Sequence, residues 1–144
     1  MGILPFTGTT LGKSGSTGMR PHVLIVEDNF LLSECLVDIV QEDLFAEPLT
    51  ATCVSVAMGI IPDGIVLAFL DIELEDGKTY PAARKLMANN IPFVFVSGNE
   101  PSSLPEDLKE APFLPKPVDP ARLIRLAKEL SGAFALYNQE SLQS

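Results

Sequence analysis

Short, almost uninterrupted apolar runs alternate with amphipathic stretches along most of this chain, and that alternation constrains its fold most strongly. The clearest runs cover residues 22–26, 65–70 and 92–96, and weaker ones cover residues 48–52 and 112–114. Strands that are apolar at every position are typical of a parallel sheet covered by helices on both faces. The alternation therefore predicts an α/β fold built on a doubly wound parallel sheet.

The stretches between these runs carry the helix signals. Apolar residues at helical spacing, beginning with Phe30, predict a helix from residue 29 to about 44. Asp119 is a typical N-cap, and Pro120 suits the first helical position that follows it. The other predicted helices cover residues 54–61, 79–89, 102–110 (short and bounded by prolines) and 119–130.

The two ends differ from the middle in composition. Residues 1–20 are rich in Gly, Thr and Ser and show no period, which predicts a flexible leader, either native or added for expression. We expect one folded domain over residues 21–131, with residues 132–144 as a tail too short to form a further domain. No apolar run approaches the roughly 18 residues that span a bilayer, and no secretory signal is evident. We therefore expect a cytoplasmic protein.

The formal net charge of -9 limits the choice of partner. An acidic chain is a poor ligand for nucleic acid or for an anionic membrane surface, so we expect neither as a partner. Many proteins are acidic for solubility alone. The same charge also suits a protein that gathers carboxylates around a cation.

Polar or charged side chains follow the predicted strands at their carboxyl ends. These are Glu27 and Asp28 after the first strand, Asp71 after the third, Ser97 after the fourth and Lys116 after the fifth. Ligands of such sheets bind outside the carboxyl ends of the strands, which lie at one edge. We therefore expect these five side chains to form one site, although each alone could simply cap a helix or a turn.

Three carboxylates that lie close together repel one another, and a hard divalent cation with oxygen ligands removes the conflict. Mg²⁺, or Mn²⁺ in its place, suits such a donor set. We expect Asp28 and Asp71 to bind the metal directly, Glu27 to bind through water, and the backbone carbonyl of Glu73 to supply one more ligand.

The same residues suit phosphoryl transfer. A carboxylate such as Asp71 can act as the nucleophile and form an aspartyl-phosphate. The charge on the transferred group spreads over its equatorial oxygens. Lys116 and the Ser97 hydroxyl are expected to bind two of those oxygens, and the metal a third.

Four motifs together resemble the receiver domain of two-component response regulators, of which CheY is the familiar type. They are Val23-Leu-Ile-Val-Glu-Asp-Asn29, Phe69-Leu-Asp71, Val94-Phe-Val-Ser-Gly98 and Leu114-Pro-Lys-Pro117. The resemblance covers residues 21–131 and implies a five-stranded, flavodoxin-like sheet of strand order 2-1-3-4-5. The stretch from Pro92 to Gly98 also resembles the Pro-Phe-x-Phe-Ala-Thr-Gly subgroup, common in single-domain regulators of alphaproteobacteria.

The resemblance implies that Asp71 is the phosphoacceptor and Phe113 the aromatic switch residue that moves with Ser97. It implies phosphoryl transfer from a histidine kinase or a histidine phosphotransfer protein. It also implies a stand-alone regulator that acts by contact with a downstream protein or as a phosphate sink, with a homodimer left open. We expect no enzymatic activity beyond self-catalysed phosphoryl transfer and autodephosphorylation.

Two alternatives stay open on the sequence. An aspartyl-nucleophile phosphotransferase or phosphatase needs a second acid, which Glu73 could supply two residues after Asp71. A non-phosphorylated interaction module would need none of this chemistry. The loop after Asp71 is shorter than is usual in the family and lacks its proline, which bears on switching more than on phosphoryl acceptance.

Overall fold

The computed structural model describes residues 20–61, 64–132 and 134. The leader predicted over residues 1–20 lies outside the described residues except for Arg20, and so does the tail predicted over 132–144 except for Gly132 and Phe134. Those two boundaries stay predictions.

Strands and helices alternate along the described chain. The main sheet contains β1 (His22–Val26), β2 (Glu47–Ala51), β3 (Ile65–Leu70), β6 (Phe93–Ser97) and β7 (Phe113–Pro115). A small antiparallel hairpin, β4 (Glu73–Leu74) and β5 (Gly77–Lys78), follows β3. The helices are α1 (Phe30–Glu42), α2 (Val54–Ile60), α3 (Tyr80–Ala88) and α4 (Pro120–Leu130). None of these helices is long and apolar enough to cross a bilayer.

The main sheet is parallel throughout, in the order β2-β1-β3-β6-β7. Counted within that sheet alone, this is the predicted order 2-1-3-4-5. Val26 at the end of β1 pairs with Leu70 at the end of β3. Ser97 at the end of β6 pairs with Pro115 at the end of β7. The register therefore brings the residues that follow these strands to one edge.

Each face of the sheet packs against its own apolar cluster, because successive strand residues point to opposite faces. In β3, Ala68 and Leu70 face α2 and α3, whereas Leu67 and Phe69 face α1 and α4. All four are at most 1% exposed. Burial on both faces explains why this strand is apolar at every position.

The helix predicted over residues 102–110 is wrong. The chain there forms two separate 3₁₀ turns, Pro101–Ser103 and Glu106–Leu108. Pro105 has no N–H to donate, so a continuous helix would lose a backbone hydrogen bond at that point. The turns are closed instead by bonds from Leu104 N–H to the Pro101 carbonyl and from Leu108 N–H to the Pro105 carbonyl.

The predicted apolar stripe of the first helix is wrong at its first residue. Phe30 is 73% exposed, whereas Leu36, Ile39 and Val40 are buried. Phe30 lies nine residues before Ile39, which is about two and a half turns of helix, so the two side chains point in opposite directions.

Candidate functional site

The three predicted carboxylates meet at the carboxyl edge of the sheet. Glu27 and Asp28 follow β1, Asp71 follows the neighbouring β3, and one oxygen from each residue lies within 4.8 Å of the others. Glu27 and Asp71 are buried, whereas Asp28 is exposed. The arrangement has the ligand chemistry of a hard divalent cation, with an open side toward solvent.

Lys116 supplies the positive charge opposite these carboxylates. Its Nζ lies 3.3 Å from Glu27 Oε1 and 3.5 Å from Asp71 Oδ2, and its side chain is 29% exposed. Its backbone N–H donates to the Ser97 carbonyl at 3.0 Å, which extends the pairing of β6 with β7 by one residue. The peptide bond from Lys116 to Pro117 is cis. The 3.5 Å distance from Nζ to Asp71 Oδ2 shows that the predicted lysine faces the predicted phosphoacceptor directly.

Glu27 carries the strongest electrostatic conflict in the site. Burial raises the pKa of its carboxyl above the usual range and the charge on Asp71 adds to the rise, while the Asn29 N–H and Lys116 act against it. Its Oε2 accepts from Asn29 N–H at 3.0 Å. Its buried Oε1 lies at ion-pair distance from Lys116 but receives no aligned hydrogen bond from the described residues.

An unsatisfied buried carboxylate oxygen is costly, and a water held by a cation would satisfy it. This orphaned oxygen, beside two further carboxylates, fits the predicted role of Glu27 as a ligand through water. The residues present therefore fit a Mg²⁺ or Mn²⁺ ion.

Ser97 is buried at 2% exposure and ends β6 next to Lys116. Its Oγ accepts a hydrogen bond from Asn99 N–H at 3.0 Å. A hydroxyl that accepts one bond still has its hydrogen to donate. Ser97 can therefore donate to an anionic group placed between it and Lys116.

Two of the predicted residues lie near the site without a contact that tests their roles. Phe113 is half-buried, pairs with Phe95 in the sheet, and packs on the α2 and α3 side. The Glu73 carboxylate bonds to Lys78 Nζ at 3.0 Å. The switch role of Phe113 and the metal role of the Glu73 carbonyl stay predictions.

Two residues near Asp71 were missed by the sequence analysis. Thr79 is fully buried, and its hydroxyl donates to the Asp71 carbonyl at 2.6 Å. Asp76 binds the first N–H groups of α2. In the sequence, Thr79 has the pattern of an ordinary helix cap and Asp76 that of a turn residue, so no local signal points to either.

Solved structures show which proteins this arrangement resembles, although no family model and no curated protein matches the chain. The non-phosphorylated HemR receiver domain from Leptospira biflexa is 28% identical, over 78% of this chain and 95% of that one, with a TM-score of 0.66. SdrG from Sphingomonas melonis Fr1 is 34% identical, over 77% of this chain and 96% of that one, with a TM-score of 0.66. The chain belongs to the response regulator receiver family.

A second structure of SdrG, in its BeF3-activated conformation and from Pseudomonas melonis Fr1, is 33% identical to this receiver. The match between the two covers 76% of this chain and 97% of the SdrG chain, with a TM-score of 0.61. The predicted family and fold of this receiver are thus confirmed. Its place in the Pro-Phe-x-Phe-Ala-Thr-Gly subgroup stays a prediction.

Proposed function

We propose that this receiver accepts a phosphoryl group on Asp71 from a phosphohistidine donor, in a cytoplasmic two-component phosphorelay. One observation carries the proposal: Lys116 Nζ lies 3.5 Å from Asp71 Oδ2, at the edge where three carboxylates lie within 4.8 Å of one another. Asp28 and Asp71 would bind Mg²⁺ or Mn²⁺ directly, and Glu27 would bind it through water. The backbone carbonyl of Glu73 would be the last ligand that the protein supplies.

The chemistry follows from the positions of the side chains. An Asp71 carboxylate oxygen attacks phosphorus, an O–P bond forms, and the P–N bond of the donor breaks as its imidazole leaves. Lys116 neutralises charge on one phosphoryl oxygen, and the Ser97 hydroxyl donates a hydrogen bond to another during the transfer. Bound Mg²⁺ would supply charge neutralisation at a further oxygen. Hydrolysis of the aspartyl-phosphate returns the receiver to its starting state.

The surroundings of Glu73 favour this role over that of an aspartyl phosphatase. Such an enzyme needs a protonated acid near the nucleophile. The Glu73 carboxylate instead forms an ion pair with Lys78 Nζ at 3.0 Å, so it would have to leave this partner to protonate a leaving group. We infer that the receiver is not an enzyme beyond its own phosphorylation and dephosphorylation, and that it acts through a downstream protein or as a phosphate sink.

Phosphoryl uptake from acetyl phosphate tests the proposal. In the presence of Mg²⁺, intact-mass measurement should show one added phosphoryl group, because the site itself supplies the catalytic groups. EDTA should prevent the addition, and added Mg²⁺ or Mn²⁺ should restore it. Continuous release of phosphate, much faster than decay of the adduct, would favour the phosphatase. No uptake under any of these conditions would favour an interaction module.

The surface beside the site indicates how a protein donor would dock. Asp71 is only 9% exposed, so a donor must bring its phosphohistidine down to the site and touch the surrounding surface. Phe30 and Leu31 are 73% and 77% exposed at the start of α1. A groove of about 420 Å³ runs from Leu31 to Lys116. We propose that a helix bearing the phosphohistidine packs on this apolar surface.

Serine at both Phe30 and Leu31 should slow phosphoryl transfer from a phosphorylated histidine phosphotransfer protein by about tenfold or more, because docking loses its apolar contact. Uptake from acetyl phosphate should not change. Met87→Ser, at an exposed apolar residue near the end of α3, is the matched control. Equal transfer from the phosphotransfer protein to the double variant and to the control would exclude this docking surface.

A further inference from the structure

The cap of α2 comes from outside its own chain segment. Cys53 occupies the N-cap position but makes no side-chain cap bond. Asp76 replaces it, with Oδ1 accepting from Val54 N–H at 2.9 Å and Oδ2 from Ser55 N–H at 3.2 Å. These hydrogen bonds hold the pKa of the Asp76 carboxyl below its usual range, and the bond from Val54 N–H has the larger effect. Asp76 lies in the turn between β4 and β5, so the tip of the hairpin is fastened to α2.

The cap residue of α3 faces away from its own helix. Thr79 is at the N-cap, where threonine usually bonds to the first helical N–H groups, yet it makes no such bond. Its hydroxyl donates to the Asp71 carbonyl at 2.6 Å, and its backbone N–H donates to the Ile72 carbonyl at 2.8 Å. Thr79 therefore closes the base of the loop that begins at Asp71.

These bonds fix the backbone of the phosphoacceptor on both sides. Asp71 N–H donates to the Val26 carbonyl at 2.9 Å, and the Asp71 carbonyl accepts from Thr79. With both of its peptide groups held, the carboxylate is aimed by the backbone as well as by its own rotamer. Groups that react must be held to within a fraction of an ångström, and their supporting hydrogen bonds achieve this.

We propose that Asp76 and Thr79 are positioning residues for phosphoryl transfer, which hold Asp71 in its attacking geometry through the β4–β5 hairpin. We call the hydrogen bonds that the Asp76 and Thr79 side chains make to α2 and to the Asp71 carbonyl the brace. Thr79 acts on the Asp71 backbone directly, and Asp76 acts by keeping the hairpin on α2. The inference rests on the proposed function, since it concerns the same reaction.

Asp76→Ala tests the outer attachment, with Glu75→Ala as the matched control, because both remove one exposed carboxylate from the same turn. With saturating Mg²⁺, the maximum rate of uptake from acetyl phosphate should fall between about tenfold and a hundredfold in Asp76→Ala, as expected for a nucleophile displaced by a fraction of an ångström. Glu75→Ala should react at the wild-type rate. The acetyl phosphate concentration at half-maximal rate should stay the same in both, because neither side chain touches the donor.

Thr79 allows a rescue experiment. Thr79→Val keeps the shape and removes the hydroxyl, so the maximum rate should fall at least as far as in Asp76→Ala. Thr79→Ser restores the hydroxyl and should recover most of the rate. Amide hydrogen exchange should be faster over residues 72–78 in both slow variants and normal in Thr79→Ser. If Thr79→Val does not fold, the comparison of Asp76→Ala with Glu75→Ala decides alone.

The outcomes separate the two proposals. Faster exchange in the hairpin with an unchanged maximum rate would show that the brace is only structural, and this would overturn the inference. A wild-type protein that takes up no phosphoryl group would overturn the proposed function, whatever the exchange data show. A slow Asp76→Ala beside a normal Glu75→Ala, with rescue by Thr79→Ser, supports the positioning role.

Discussion

Asp71→Asn should take up no phosphoryl group from acetyl phosphate and should remain folded. The amide has nearly the shape of the carboxylate but lacks the anionic oxygen that attacks phosphorus. The change also removes the negative charge next to buried Glu27, whose carboxyl pKa the Asp71 charge helps to raise. The thermal unfolding temperature should therefore be equal to or above that of the wild type. Intact mass and a thermal melt measure both results.

Asp28→Asn is the matched control for Asp71→Asn, because it removes the same charge from the same cluster but leaves the nucleophile in place. Its uptake should be slow at low Mg²⁺ and should recover as the Mg²⁺ concentration rises. Asp71→Asn should not recover at any concentration. Phosphorylation of Asp71→Asn at the wild-type rate would place the acceptor on another residue and refute the assignment.

Lys116→Ala should still bind Mg²⁺ but should lose the response to phosphorylation. Removing the ammonium leaves three carboxylates without their counter-charge, so the affinity for Mg²⁺ should be equal or higher. The phosphoryl oxygens, however, lose their ionic contact with residue 116. That residue directly follows β7, and its backbone N–H donates to the Ser97 carbonyl. Calorimetric titration gives the Mg²⁺ affinity. NMR chemical-shift changes at Ser97 and Phe113, on addition of BeF3 as a stand-in for the phosphoryl group, report the response.

Lys116→Arg is the informative comparison with Lys116→Ala, since it keeps the charge but changes a compact ammonium into a planar fork. We expect it to bind Mg²⁺ like the wild type and to respond weakly. Shift changes of wild-type size in Lys116→Ala would refute the role given to this lysine.

The parts of the fold that the sequence predicts well are those decided by burial. Residues 65–70 are apolar at every position because β3 is covered on both faces, and the predicted bounds match the observed strand. The cluster of Glu27, Asp28 and Asp71 follows from the same reasoning, because carboxyl ends of parallel strands share an edge. Once the strands are known, the meeting of these three carboxylates at one edge needs no further information.

The parts that the sequence analysis misses depend on partners distant along the chain. Phe30 is a large apolar residue of the kind that usually lies in a core. Its position on α1 directs its side chain to the surface, and this becomes clear only when the packing of α1 on the sheet is known. Thr79 has a good cap sequence, yet its hydroxyl has a closer acceptor in Asp71. Asp76 lies 22 residues from Val54, the residue whose N–H it binds. No local pattern encodes such choices between competing acceptors.

The pair of 3₁₀ turns that replaces the helix predicted over residues 102–110 changes the shape of the surface that another protein can contact next to β7. Each turn is closed by two main-chain bonds of the 3₁₀ kind, so reshaping one turn breaks fewer bonds than unwinding a helix of the predicted length. A two-pronged contact from Arg84 to Asp107, at 2.8 and 3.1 Å, ties the second turn to α3. A protein that binds this surface would contact two short turns held at a few points instead of the regular face of an α-helix.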